Sequence, residues 1–157
     1  MATINATLNL TSSDLTSSPL SLSKTMTMNK AGSCNGLELT SGLVTRKLTA
    51  VTEVDLIAGG AQNYGTPTVA SADGTSTNSA NKVYIKNTGS SSTDYVTIGL
   101  GTAAAADAIG GNHLNLGRLY GGDFLIMPAA FIATHGDITV QPSTAEEMTV
   151  EYMLFFE

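Results

Sequence analysis

Cysteine occurs once in the 157 residues, at Cys34, and tryptophan does not occur at all. A single thiol forms no internal disulfide, and Cys34 has no partner at metal-ligand spacing, so a chain made in a reducing cytoplasm is expected and no metal site is. Basic residues are also scarce: seven Lys and Arg stand against thirteen Asp and Glu, a net charge of −6. Binding to a phosphate backbone requires clustered cations, and Arg46-Lys47 is the only adjacent basic pair, so nucleic acid is excluded as a partner. Apolar runs of about 18 residues are missing, which argues against a membrane-spanning helix. The opening MATINATLNLTSS lacks the basic and apolar regions of a signal peptide, and neither membrane insertion nor Sec export is expected.

What the chain has in quantity is small and hydroxylated: 22 Thr, 15 Ser, 10 Asn and 16 Gly. Thr suits the solvent face of a strand, while Gly, Ser and Asn suit turns. Hydrophobic residues make up 42% and charged residues 13%, which excludes a disordered chain. At this length a folded chain buries roughly 68–70% of the surface that it exposes when unfolded, enough for one real core.

Periodicity identifies the strands. Ile4, Ala6, Leu8 and Leu10 alternate with Asn5, Thr7, Asn9 and Thr11, a period of two that calls for one buried face. Leu20, Leu22, Met26 and Met28 repeat the pattern, and the two segments are expected to pair as a hairpin. Lys24 falls on the apolar face, which places it near a rim where its amine reaches water. Further strands are expected near Leu43–Ala50 and Val54–Ala58, and then at Lys82–Asn87 and Tyr95–Leu100, joined as a hairpin by TGSSSTD. Leu114–Tyr120 and Phe124–Met127 follow, with Gly121-Gly122-Asp123 as the reversal between them. Ile138–Gln141 and Met148–Phe156 flank PSTAEE. Gly59–Asn81 reads as a long exposed loop, and the Ala-rich piece between Gly101 and Gly110 as the only helical candidate.

No internal repeat or linker divides the chain. The expected fold is all-β: one domain over residues 1–157, an antiparallel β-sandwich of eight or nine strands, jelly-roll-like, with a simpler Greek-key sandwich as the alternative. The first and last strands are both strongly patterned and should lie well inside a sheet.

No catalytic constellation stands out, and no enzyme, cofactor or metal is expected. Gly99-Leu100-Gly101 sits where a dinucleotide fingerprint would, with Asp123 downstream. A nucleotide-binding unit needs parallel strands and long helices, however, so both glycines are read as turn residues. His113 and His135, with Asp107 and Asp137 as conceivable partners, belong to no nucleophile elbow or ligand cluster. Glu146-Glu147 reads as a solvated turn. The sequons at Asn5 and Asn9 fall inside a strand and are read as chance. Sugar binding would need exposed aromatics, and only Tyr64 and Tyr120 lie in Gly-rich segments to supply them.

The last strand differs from the others. Met148, Val150, Tyr152, Leu154 and Phe156 form one apolar face, and Met153 and Phe155 place large apolar groups on the other. Either loops of the same chain cover that second face, or it is a subunit interface formed by Met153 and Phe155.

SPLSLSKTMTM, ANKVYIKNTGSSSTDYVTIGL, the GRLYGGDFLIMPA hairpin and DITVQPSTAEEMTVEYMLFFE together resemble small virion structural proteins of tailed bacteriophages, most of all the head decoration, or cement, proteins. The resemblance extends loosely over most of the chain and is strongest from Ala80 onward. It implies a non-enzymatic β-sandwich subunit, commonly a homotrimer. Such a subunit is made in the host cytoplasm and binds the outside of the assembled head, with the major capsid protein as its partner. A tail, fibre or baseplate module that contacts host-surface glycans through Tyr64 and Tyr120 is the alternative.

Overall fold

The computed structural model describes residues 4–13, 20–28, 39–57, 80–101, 114–128 and 137–156. They form two units, one within residues 1–38 and the other spanning Leu39–Phe156.

The first unit holds β1 (Asn5–Ser12) and β2 (Leu20–Thr27), paired antiparallel with Asn5 opposite Thr27 and Ser12 opposite Leu20. The expected hairpin is there, and the Met28 amide closes it on the Ile4 carbonyl at 2.9 Å. Its polar face is stitched across the strands. The Thr7 and Thr25 hydroxyls lie 3.1 Å apart, the Ser23 hydroxyl donates to Asn9 Oδ1 at 2.5 Å, and that of Thr27 donates to Asn5 Oδ1 at 3.0 Å. Two expectations fail here. β1 lies in a two-stranded sheet rather than inside a larger one. Its apolar face is also only partly buried: Leu8, Leu10 and Met26 are 44%, 43% and 46% exposed, whereas Met28 is 2% exposed. Alternation shows that a face suits burial, but it does not supply the layer that would bury it. Lys24 stands mid-strand opposite Leu8 and is exposed.

The second unit contains β3 (Leu39–Thr40), β4 (Val44–Leu48), β5 (Val54–Ile57), β6 (Ala80–Asn87), β7 (Tyr95–Leu100), β8 (Leu114–Tyr120), β9 (Phe124–Pro128), β10 (Ile138–Pro142) and β11 (Met148–Phe156). One sheet has the order β5-β10-β7-β8. The other runs β11-β6-β9, with β3 and β4 both along the free side of β11. Taken from β4 onward, the strands pair first with last and so inward: β4 with β11, β5 with β10, β6 with β9 and β7 with β8, all antiparallel. That nesting is the jelly roll. The expected all-β antiparallel sandwich is therefore the observed one, although the described residues hold eleven strands where eight or nine were expected.

The route between strands differs from the expected one. β6 does not pair with β7, nor β8 with β9; each of these short connections carries the chain from one sheet to the other. TGSSSTD and Gly121-Gly122-Asp123 are thus corners of the sandwich, not hairpin loops. Turn chemistry marks a reversal but carries no information about which sheet receives the next strand. Three corners are knitted together at one end. The Asn87 amide donates to the Asp123 carbonyl, Gly122 to that of Asn87, Gly121 to that of Ser91, and Ser143 to that of Tyr95, at 2.9–3.1 Å. The buried Asn87 side chain adds a bond from Nδ2 to the Leu119 carbonyl at 3.0 Å and accepts one from the Gly89 amide at 3.0 Å.

Between the sheets lie Leu48, Leu56, Ile57, Val83, Ile85, Val96, Ile98, Ile138, Val140, Met148, Val150, Tyr152 and Leu154. Each such side chain contributes about 1.5–3 kcal/mol when fully buried. Arg46 shares a face of β4 with Val44 and Leu48, and its guanidinium donates to the Asp55 carbonyl of β5, in the opposite sheet. Gly99 is not in a turn: it is a buried residue of β7, opposite Thr139 on one side and Asn115 on the other. A bulge in the β7–β8 pairing falls directly beside it. The Gly59–Asn81 loop ends earlier than expected, because Ala80 and Asn81 belong to β6. The rest of that segment, and the helical candidate beyond Gly101, lie outside the described residues.

Candidate functional site

β8 and β9 are the edge strands of their respective sheets, consecutive in the chain, and they meet at the Gly121–Asp123 corner. β8 bulges at Leu116, which has no opposite residue in β7, and Gly117 follows with a φ of 141°. The bulge breaks the alternation of β8 beside Leu114 and Leu116, which are 62% and 40% exposed. Tyr120 and Phe124, 37% and 56% exposed, lie where the pairing is regular and face outward by ordinary alternation with Leu119 and Leu125. Between the two strands runs an apolar groove of about 220 Å³ lined by Leu116, Leu119, Leu125 and Met127 together with Ile98, Gly117 and Arg118. Edge strands that carry exposed apolar side chains are sites of association.

Beside this groove the Tyr95 and Tyr120 rings meet edge to face, with centroids 5.4 Å apart, and the Arg118 guanidinium lies 4.3 Å from the Tyr95 ring centroid. An aromatic pair with a cation stacked on it offers a ring face and a charge to a planar or polyhydroxylated ligand. At the corner end of the roll a second hollow, of about 260 Å³, is polar. It is lined by Asn87, Ser90, Ser91, Asp94, Thr144, Glu146, Glu147 and Thr149 among others. Glu147 faces outward and pairs with Lys47 at 2.8 Å; both side chains are more than half exposed, so the pair adds little stability. Among the described residues no group of three or more His, Cys, Asp or Glu could hold a metal ion.

On the outer face of β6 the Tyr84 hydroxyl donates to Glu151 Oε1 of β11 at 2.8 Å, and Lys86 Nζ stands 3.9 Å from the same oxygen. Burial first, then the hydrogen bond and the negative charge of Glu151, push the Tyr84 phenol up to about 12 from its ordinary value of 10.0. The folded chain therefore holds this proton when the unfolded chain has released it. The resulting stability is fully present below about pH 10 and is lost as pH rises through about 12. Tyr84→Phe should remove that part of the alkaline fall. Urea midpoints of the two proteins between pH 9 and 12 check it, and parallel curves would show that the phenol titrates alike in both states.

The residues singled out in the sequence are dispersed. Phe155 is only 6% exposed in the single chain and Met153 is half-buried, so neither presents an open apolar surface. Tyr120 is on the surface, one wall of the aromatic pair. Tyr64, Cys34, Asp107, His113 and His135 lie outside the described residues. Leu114 and Leu116 carry no functional signal in a first scan, because LNLGRLY resembles an ordinary alternating strand. The signal within it is the break in alternation at Leu116-Gly117-Arg118-Leu119, which marks the bulge.

No protein-family model, no curated protein and no solved structure matches the chain.

Proposed function

We propose that the chain is a structural subunit of a tailed-bacteriophage virion, a decoration protein that binds the outside of the assembled head as a homotrimer and stabilises it by contact with the major capsid protein. The observation that carries this reading is the apolar β8–β9 edge of the roll, a surface suited to protein contact. The jelly-roll strand order supports it as well, since that architecture recurs in viral shells, although it recurs in lectins too. A subunit that binds the assembled shell but not its separated parts stabilises the shell by mass action, and a trimer gains further from effective concentration. The acidic surface of such a layer faces water and repels packaged DNA. The protein would be made in the host cytoplasm and act on the capsid exterior.

The test is co-sedimentation with assembled heads of the phage that carries it. Saturable binding, together with heads that release DNA at a higher temperature once decorated, is expected. Binding to free capsid protein alone, or to no head at all, would sink the reading.

A second reading has its own observation. Tyr120, exposed against Tyr95 and next to the stacked Arg118, could seat a sugar of the host surface, as a tail, fibre or baseplate module would. Glycan-array binding that disappears in Tyr120→Ala would favour it over decoration, and Tyr64→Ala examines the other aromatic of that reading.

A further inference from the structure

We propose that the outer face of the β5-β10-β7-β8 sheet, at its β7–β8 end, binds an acidic saccharide, with a sugar ring against Tyr120 and its carboxylate on the Arg118 guanidinium. This deepens the glycan reading of that surface and rests on it.

Register defines the face. Val96, Ile98 and Val140 belong to the core and Leu119 packs against it, so Tyr95, Thr97, Gln141, Arg118 and Tyr120 project from the other side of the sheet. Gln141, Thr97 and Arg118 lie side by side on β10, β7 and β8, and Tyr95 stands opposite Tyr120 on the next rung of the same face. None of these five side chains is aliphatic.

Arg118 selects the charge of the ligand. The Tyr95 ring lies 4.3 Å from its guanidinium and holds it by a cation–π contact, while no carboxylate among the described residues pairs with it. A ring against the face of a guanidinium leaves the in-plane N–H donors available, and an ordered planar fork takes a carboxylate through two parallel hydrogen bonds. The neighbouring acids are engaged elsewhere. Asp123 Oδ2 accepts from the Tyr120 amide at 3.0 Å, and Asp94 lines the polar hollow at the corner. One guanidinium matches one carboxylate, whereas a chain of phosphates requires several cations.

The neighbours of Arg118 select the body of the ligand. Tyr120 is 37% exposed and set edge to face against Tyr95, so it offers a fixed ring to the C–H face of a sugar. Thr97, opposite Arg118 in register, adds a half-buried hydroxyl within the same row. An aromatic ring, a hydroxyl and a stacked cation on one sheet face suit a ring that carries both hydroxyls and a carboxylate.

Calorimetric titration of the full chain with tetragalacturonate, and with its methyl ester, tests the site, because the ester keeps the rings and loses the charges. The acid should bind, and the ester should bind about tenfold more weakly or worse, the range for losing a charged hydrogen bond. Arg118→Gln, at an exposed position, should lower the affinity for the acid to that for the ester and leave the ester unchanged. Tyr120→Ala should abolish binding of both, and Tyr120→Phe should retain it. If Arg118→Gln fails to fold, Arg118→Lys, which keeps the charge without the fork, should still weaken the acid several-fold. Failure of the wild type to bind the acid, equal affinity for acid and ester, an Arg118→Gln variant that binds the acid as the wild type does, or equally tight binding of pentaglutamate each overturns the proposal. The wider glycan reading is scored separately: binding to neutral sugars that is lost in Tyr120→Ala but not in Arg118→Gln defeats this proposal and leaves that reading standing.

Discussion

Ile85→Ala is expected to destabilise the roll by about 2–5 kcal/mol, the range for truncating a fully buried isoleucine. Ile85 is 0% exposed and lies on the inner face of β6, between Tyr152 of β11 and Leu125 of β9 in register. Strands bond β6 on both sides, so the backbone cannot close in on the space that the lost atoms leave. The cost therefore includes a cavity as well as the missing transfer energy. At about 2–4 °C per kcal/mol for a chain of this size, the thermal midpoint should fall by roughly 4–20 °C. Lys86→Ala, one residue along and on the opposite face, should cost less than about 1 kcal/mol, because neighbouring residues of a strand point to opposite sides of the sheet. Equal losses in the two variants would mean that the register of β6 is wrong, since a slip of one residue exchanges their faces.

Gly121→Ala should cost about 1–3 kcal/mol, the range for forcing atoms into a filled site. A Cβ at Gly121 would lie 2.7 Å from both the nitrogen and the oxygen of Ser91 and 2.8 Å from the Gly89 oxygen. All three are backbone atoms of the β6–β7 corner, so no side chain can swing away to make room. Relief requires parting two corners and weakening the bond from the Gly121 amide to the Ser91 carbonyl, 3.1 Å in the native chain. Gly122, next in the chain, is a glycine for a different reason: open space surrounds its Cβ position, but its φ is +90°. Asn, which tolerates positive φ better than other side chains, should therefore be accepted more readily at Gly122 than at Gly121. Urea denaturation of Gly121→Ala, Gly121→Asn and Gly122→Asn would measure this, and the reverse order at the two positions would refute the steric account.

Much of the fold is legible in the sequence because strand alternation is a local property. Val83, Ile85 and Asn87 face inward while Lys82, Tyr84 and Lys86 face outward, as the spacing of KVYIKN requires. Met148, Val150, Tyr152 and Leu154 do the same in β11, which lies in the middle of its sheet as expected. The corners are less legible. GSSSTD and GGD mark reversals correctly, yet Asn87 meets Asp123 and Gly121 meets Ser91 only after β7 and β9 have entered different sheets. The β8–β9 edge is hardest to read. Leu114 and Leu116 alternate as residues of a buried face would, and a one-residue bulge in an edge strand leaves them exposed.

By itself the sequence determined the all-β class, the positions of the strands and the pairing of β1 with β2, because a period of two and the residues of turns act over a few neighbours in the chain. Only the tertiary structure decided which sheet each strand enters, that Phe155 is buried, and that Leu114, Leu116 and Phe124 of β8 and β9 are exposed. Those outcomes depend on which surfaces distant segments bring together. Burial is a relation between two surfaces, and an apolar face in a sequence specifies only one of them.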